Sequence, residues 1–245
     1  MATLYIVGTP IGNLEDITLR ALRVLKEVDV ILCEDTRVTL KLLSRYEIVG
    51  KQLATYNEQD SGMTTEKIVG WLEEGKDVAL VSDAGTPGIS DPGTMLVQKV
   101  REYFKQVQPQ VGKEVEPVKI ESVPGPSALT AALSIAGVPI HDFVFLGFLP
   151  HKKGRETLFK EIAESERTMI FYESPHRILK ALKSLQKFLG STSKRGLEVE
   201  PKKITVCREL TKIYEQIIPG TAEELLKYFE TNPDKVRGEF VVIVS

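Results

Sequence analysis

The apolar run Val78-Ala79-Leu80-Val81 and the stretch after it, Ser82-Asp83-Ala84-Gly85-Thr86-Pro87-Gly88-Ile89-Ser90-Asp91-Pro92-Gly93, constrain the fold of this chain more than any other feature. A short apolar run bounded by glycine and proline reads as a buried parallel strand. The loop at the carboxyl end of such a strand is where open α/β sheets bind ligands. Gly85, Gly88 and Gly93 permit positive φ and close backbone approach, while Pro87 and Pro92 stiffen the loop. It therefore offers a ligand main-chain groups more than long side chains. The alternative is a tight surface connection that binds nothing.

The same grammar recurs along the chain. Leu4-Tyr5-Ile6-Val7 reads as a first strand ending in Gly8-Thr9-Pro10-Ile11-Gly12-Asn13. Asp16 or Thr18 then caps a helix with apolar residues at Leu19, Leu22, Leu25 and Val28. Further strands are expected at 28–33, 53–56 and 118–123, and helices around Leu40–Leu43, around Ile68, Trp71 and Leu72 up to Gly75, and around Met95 to Val100. Trp71 reads as core filling. Polar loops are expected at 57–62 and 106–116. Strand and helix in regular alternation imply a mostly parallel sheet covered on both faces.

At Pro124-Gly125-Pro126-Ser127 a helix rich in small residues opens, running from Ala128 to a stop at Gly137 and Pro139. A proline-glycine turn before a helix start suits a polar ligand group. Beyond it the texture changes. Five candidate strands, at 142–148, 168–172, 204–207, 214–218 and 239–244, are joined by hairpin-length as well as helix-length connections, with helices at 155–163, 176–189 and 222–230. This reads as a separate α+β domain with a mixed sheet. Two domains, 1–123 and 124–245, are expected, and 245 residues with 42% hydrophobic content can build both cores. Residues 191–200 read as a surface loop.

Several function classes are excluded at once. No glycine-lysine-Ser/Thr phosphate loop occurs, which argues against nucleotide hydrolysis. The three histidines, His141, His151 and His176, and the two cysteines, Cys33 and Cys207, are scattered, so no metal site is expected. Lone cysteines within apolar runs point to reduced buried thiols and a cytoplasmic setting. The amino terminus lacks the pattern of a signal peptide, and no apolar run is long enough to span a membrane. The net charge of -2 divides unevenly: 14 basic against 19 acidic residues through Val123, and 18 against 15 from Pro124 onward. A polyanionic partner would meet the second half.

Six segments in order carry a resemblance over nearly the whole chain: Gly8 to Leu14, Glu34-Asp35-Thr36-Arg37, Ser82 to Gly93, Val123 to Ala128, Phe171-Tyr172-Glu173-Ser174-Pro175-His176-Arg177, and Cys207-Arg208-Glu209-Leu210-Thr211-Lys212. Together they resemble the tetrapyrrole-methylase superfamily, and within it the branch that methylates a cytidine ribose 2'-hydroxyl in the decoding region of 16S ribosomal RNA. The resemblance implies a two-domain α/β methyltransferase, with S-adenosylmethionine in a cleft between the domains, and a cytoplasmic homodimer acting on the small ribosomal subunit. By similarity, Pro10, Gly85, Thr86, Pro87, Ser127 and Ala128 line the cofactor, while Phe171, Tyr172, Leu210, Gly238 and Glu239 wall in its adenosine part. Members often continue past the last strand into a helical tail, whereas here Ser245 follows directly on Val241-Val242-Ile243-Val244. A precorrin-type methyltransferase and a ligand sensor without activity remain alternatives.

Methylating a ribose hydroxyl mostly requires positioning, helped by a base or a cation near the oxygen. The candidates are Glu34, Asp35, Arg37, His176, Arg208, Glu209, Lys212 and Glu215. Lys212, desolvated and lowered in pKa, and Glu209 form the expected pair, with Arg37 as electrostatic support. For each of these residues a structural ion pair is the alternative. Lys152, Lys153, Arg155 and Arg177 are the expected RNA contacts, with Lys180 and Lys183 beside them.

Overall fold

The computed structural model describes residues 1–57, 65–106, 118–138, 140–189 and 202–245. The expected loops at 58–62, 107–116 and 191–200 and the helix stop at Pro139 lie outside the described residues. The chain divides into two compact units, Met1–Ser127 and Ala128–Ser245.

In the first unit the strands are β1 (Thr3–Val7), β2 (Val30–Cys33), β3 (Gln52–Thr55), β4 (Val78–Val81) and β5 (Lys119–Val123). The helices are α1 (Leu19–Glu27), α2 (Thr36–Arg45), α3 (Thr65–Glu73) and α4 (Thr94–Gln106). The sheet runs β3-β2-β4-β1-β5, with every pairing parallel. Alternate residues feed opposite faces, which is why the central strands read as unbroken apolar runs. Leu4, Val30, Leu32, Val78 and Leu80 pack with α3 and α4, including Trp71 as expected. Val7, Ile31, Cys33, Ala79 and Val81 pack with α1 and α2.

Local signals explain most boundaries. The Thr18 side chain accepts from the Ala21 N–H and caps α1. Gly75, at φ 81°, follows the last turn of α3. Two expectations need correcting. Leu19 is 86% exposed, because the buried stripe of α1 is Ala21, Val24 and Leu25. Val28 caps α1 instead of opening β2.

The second unit contains α5 (Ala128–Ile135), β6 (Phe143–Phe148), α6 (Arg155–Glu164), β7 (Thr168–Glu173), α7 (Ile178–Leu189), β8 (Ile204–Arg208), β9 (Gln216–Gly220), α8 (Ala222–Thr231) and β10 (Phe240–Val244). Its sheet is mixed, in the order β6-β7-β10-β8-β9, with only the β6–β7 pair parallel. Helices α6, α7 and α8 cover one face through Phe159, Ile162, Leu182, Leu185, Leu225 and Phe229. The small-residue helix α5 packs against β10. The final strand expected before α8 begins later than its sequence implied: Tyr214 belongs to the β8–β9 turn and is 68% exposed.

Candidate active site

In the first unit three carboxyl-end loops are knitted together. The amide of Thr9 donates to the carbonyl of Gly85 at 2.8 Å and the amide of Gly85 donates back to Thr9 at 3.1 Å. The Thr9 hydroxyl donates to the Ser82 carbonyl at 3.0 Å. The Thr86 hydroxyl donates to the carbonyl of Pro126 at 3.2 Å. Gly8 and Gly125 touch backbone to backbone: a Cβ on Gly8 would sit 2.8 Å from the Gly125 Cα. Gly85 holds φ at 89°, a left-handed value that suits glycine. Pro10, Ile11 and Pro87 are buried while Asp83 and Ala84 are exposed, so the loops present polar groups over an apolar floor.

Between β2 and β4 the adjacent strand ends exchange hydrogen bonds. Leu32 lies level with Leu80, which places Glu34 beside Ser82. The Asp83 amide donates to Glu34 Oε1 at 3.3 Å, and the Asp35 amide donates to Asp83 Oδ1 at 3.0 Å. Asp35 caps α2, and its carboxylate is gripped by Arg37, at 2.6 Å from Nη2. That hydrogen bond, with the Arg37 amide, holds the Asp35 carboxyl down to about 2. Arg37 is itself exposed, raised by the same partner, and tied to its own helix turn. The motif is thus both a helix start and a strand-end cluster. The role of Asp83 was not expected from sequence, since the pairing of β2 with β4 was needed to reveal it.

In the second unit, Glu173 is enclosed and ion-paired on both sides, with Arg177 Nε at 2.9 Å and Arg155 Nη2 at 3.2 Å. Arg177 also donates to the carbonyl of Leu149, and Arg155 to that of Pro150. Arg155 and Arg177, the expected RNA contacts, thus also neutralise this carboxylate. A carboxylate taken out of water requires such partners, and both guanidiniums are committed to it. Lys152 and Lys153 are exposed, as are Lys180 and Lys183, though Lys183 meets Glu230 at 3.3 Å.

The ring of Phe171, expected in the adenosine wall, is fully buried in the core against Phe159. Its neighbour Tyr172 points the other way, as strand alternation requires. The Tyr172 hydroxyl accepts from the Leu129 N–H at 3.1 Å, satisfying an amide in the first turn of α5, and Phe145 and Phe148 pack edge-on against its ring. Ser127 and Ala128 stand at the start of that helix.

Lys212, Glu209 and Glu239 form a closed triad. Lys212 Nζ reaches Glu209 Oε1 at 2.9 Å and Glu239 Oε2 at 2.8 Å. The Glu239 amide donates to Glu209 Oε1 at 3.1 Å, while the Glu209 amide donates to the Glu239 carbonyl at 3.0 Å. Glu209 and Thr211 adopt φ of 51° and 65° on either side of the buried Leu210. Burial pulls the Lys212 pKa down, but the two carboxylates outweigh it and hold the ammonium above its ordinary value. Burial likewise works against ionised Glu209, yet Lys212 and the Glu239 amide leave its carboxyl lowered. The expectation of Lys212 as a base of lowered pKa is therefore corrected: it is a fixed cation.

Of the remaining candidates, Arg208 is buried and spent on the carbonyls of Arg237 and Tyr214, and Glu215 accepts from the Thr211 amide at 2.6 Å. His176 is exposed. No group of acidic, histidine or cysteine side chains able to hold a metal ion occurs among the described residues.

A parallel sheet with glycine-rich loops at its carboxyl edge, followed by a mixed-sheet unit, defines an α/β methylase architecture. Residues 3–226 match the family described as Tetrapyrrole (Corrin/Porphyrin) Methylases, and the chain belongs to that family. It is 42% identical to the ribosomal RNA small subunit methyltransferase I of Thermotoga maritima, across 100% of this chain and 99% of that one. The protein of the same name from Synechocystis is 43% identical, across 100% of this chain and 79% of that one. Among solved structures, the cobalt precorrin-4 methyltransferase CbiF superposes with a TM-score of 0.64 at 22% identity, covering 99% of this chain and 94% of that one. At that identity the likeness speaks for the fold alone.

Proposed function

We propose that this protein transfers a methyl group from S-adenosylmethionine to the 2'-hydroxyl of a cytidine in the decoding region of 16S ribosomal RNA. The observation that carries the reading is the 42% identity, from end to end, to a relative named as a ribosomal RNA small subunit methyltransferase. The residues present fit the methyl donor. In the first unit its contacts are Pro10, Gly85, Thr86, Pro87 and Ser127, on loops whose mutual bonds keep them rigid over buried prolines. In the second unit they are Ala128, Tyr172, Leu210, Gly238 and Glu239. When bound, the donor supplies an electrophilic methyl carbon, so this chain's work is positioning and managing one proton.

Lys212, held charged between two carboxylates, offers fixed positive potential near the site instead of a base. Lys152 and Lys153 meet RNA phosphates, and the reading places the enzyme as a homodimer in the cytoplasm with its ribosomal substrate. No helix among the described residues is long and apolar enough to cross a membrane.

The test is methyl transfer from labelled S-adenosylmethionine to assembled small subunits, with a ribose-methylation map of the RNA from cells with and without the gene. One 2'-O-methylcytidine should vanish on deletion. An unchanged map, or transfer to precorrins in place of subunits, overturns the reading.

A further inference from the structure

The proton of the reacting hydroxyl needs an acceptor, and Lys212, held charged, and Asp35, held ionised by Arg37, are poorly suited to that role. Two of the remaining carboxylates are also occupied: Glu173 lies between two guanidiniums and Glu209 is bound to Lys212. Glu34 differs from these. It is half-buried at the carboxyl end of β2, and no cation is paired with it among the described residues. Its one hydrogen bond there is the 3.3 Å contact from the Asp83 amide.

The place matters as much as the group. Strand β2 runs on into α2 on one face of the sheet, whereas its neighbour β4 runs on into α4 on the other. Loops that part in this way open a crevice at the strand ends, where sheets of this type take ligands. The neighbouring β4–β1 parting is bridged by backbone bonds between Thr9 and Gly85, and the β2–β4 parting by bonds to side chains that set the Glu34 and Asp83 carboxylates there. Asp83 lies two residues before Gly85, so the proposed donor loop and this crevice share one segment.

A second observation marks the crevice as built. The Ser82 hydroxyl, on a residue only 3% exposed, is the one buried side-chain polar atom without a hydrogen-bond partner among the described residues. It lies near enough to Glu34 to favour the charged carboxylate, but outside ordinary hydrogen-bonding geometry. An enclosed hydroxyl left unpaired costs free energy, and the acceptor beside this one is the Glu34 carboxylate.

We propose that Glu34 accepts the proton of the methyl-receiving hydroxyl, and that Ser82 is a positioning residue whose hydroxyl steadies the Glu34 carboxylate. The assignment rests on the methyltransferase reading above. The hydroxyl oxygen forms the new bond to the methyl carbon, the carbon–sulfur electron pair stays on sulfur, and the hydroxyl proton passes to the carboxylate of Glu34. The resulting carboxylic acid then returns the proton to water. Burial raises the Glu34 carboxyl, with the Asp83 amide opposing and the Asp83 carboxylate adding to it. The charged groups around it are Asp83 from the β4 loop, and Asp35 with its partner Arg37 from α2, beside the Cys33 thiol. A carboxylate raised toward neutral pH is the better proton acceptor.

The test combines two measurements on the whole protein. Carbon NMR of labelled glutamate carboxyls in the free protein should show Glu34 titrating above an ordinary glutamate, and a Glu34→Gln variant assigns that resonance by its loss. Methyl transfer to small subunits should fall on the acid side with the same midpoint. Glu34→Gln should lower kcat by about 100-fold, within the usual range for losing a general base, with cofactor affinity by calorimetry and KM for subunits unchanged. Glu34→Asp should restore part of the rate, and Ser82→Ala should move the midpoint further up. A Glu34→Gln kcat within threefold of wild type, a loss expressed in KM or cofactor affinity, or a Glu34 midpoint at the ordinary value would overturn the proposal. If Glu34→Gln does not fold, Glu34→Asp assigns the resonance by the same loss from the glutamate spectrum, and agreement or disagreement between the NMR and kinetic midpoints of the wild-type protein decides it. Wild-type protein inert toward subunits would defeat the methyltransferase reading itself, a separate outcome.

Discussion

Replacing Gly238 with alanine tests whether the triad of Lys212, Glu209 and Glu239 is one mechanical unit. Gly238 adopts φ of 88°, and a Cβ there would lie 2.3 Å from both Cδ and Oε1 of Glu209. Two costs follow. A non-glycine residue in the left-handed region loses about 1 kcal/mol. The Glu209 carboxylate must also leave, giving up its bonds to Lys212 Nζ and the Glu239 amide. Hydrogen bonds to charged groups contribute roughly 1.5–3 kcal/mol each, reduced where solvent screens them, so this second cost is about 2 kcal/mol. Gly238→Ala should therefore destabilise the second unit by about 3 kcal/mol. With Glu209→Ala already in place, the same change should cost only the backbone part, about 1 kcal/mol. The difference, about 2 kcal/mol, is the coupling in a double-mutant cycle.

The assay must look in the right place. The only tryptophan, Trp71, lies in the first unit, so its fluorescence does not report this corner. Hydrogen exchange at the paired amides of β8 and β10 does, because those strands flank the triad. Equal costs of Gly238→Ala in both backgrounds would refute the reasoning. They would mean that the carboxylate swings aside without losing anything.

Further outcomes are expected. Arg37→Ala should lift the Asp35 carboxyl from about 2 toward 3.8, followed by NMR titration. Because the folded value lies below the unfolded one, the stabilisation from this pair is present above the unfolded pKa and lost as pH falls toward 2; an unchanged midpoint would disconnect the two residues. Arg177→Met leaves the enclosed Glu173 one guanidinium short and should cost about 3 kcal/mol in chemical unfolding. Lys152→Ala with Lys153→Ala should leave the melting temperature unchanged while reducing the salt dependence of RNA binding, by a slope of about 1.4–1.8 for two phosphate contacts; an unaltered slope would remove both from the interface. Cys207, buried and pushed up to about 11 by desolvation with Glu215 adding to it, should resist thiol reagents at pH 8 until the protein unfolds.

Much of the fold was legible because its strands are local patterns. Apolar runs such as Val78–Val81 could only be strands buried on both faces, and the glycine and proline residues after them could only be loops. The cap at Thr18 and the change of texture after Pro124 are likewise written within a few residues. The loops of the candidate site were legible as loops for the same reason, as strand ends in an α/β sheet.

Side-chain partnerships were not legible, and the errors share one cause. Arg155 and Arg177 read as free cations because nothing within several residues announces that Glu173 is enclosed between them. Lys212 read as a base because the second carboxylate that holds its charge, Glu239, arrives from just before β10, 27 residues later. Phe171 and Tyr172 are adjacent letters with opposite fates, since one faces the helices α6 to α8 and the other faces α5. Hydrophobic period and turn chemistry act over a few residues, so the chain alone determines them. The ionisation state of a carboxylate or an amine depends on what stands within about 4 Å of it, and that is decided only when distant strands are set side by side.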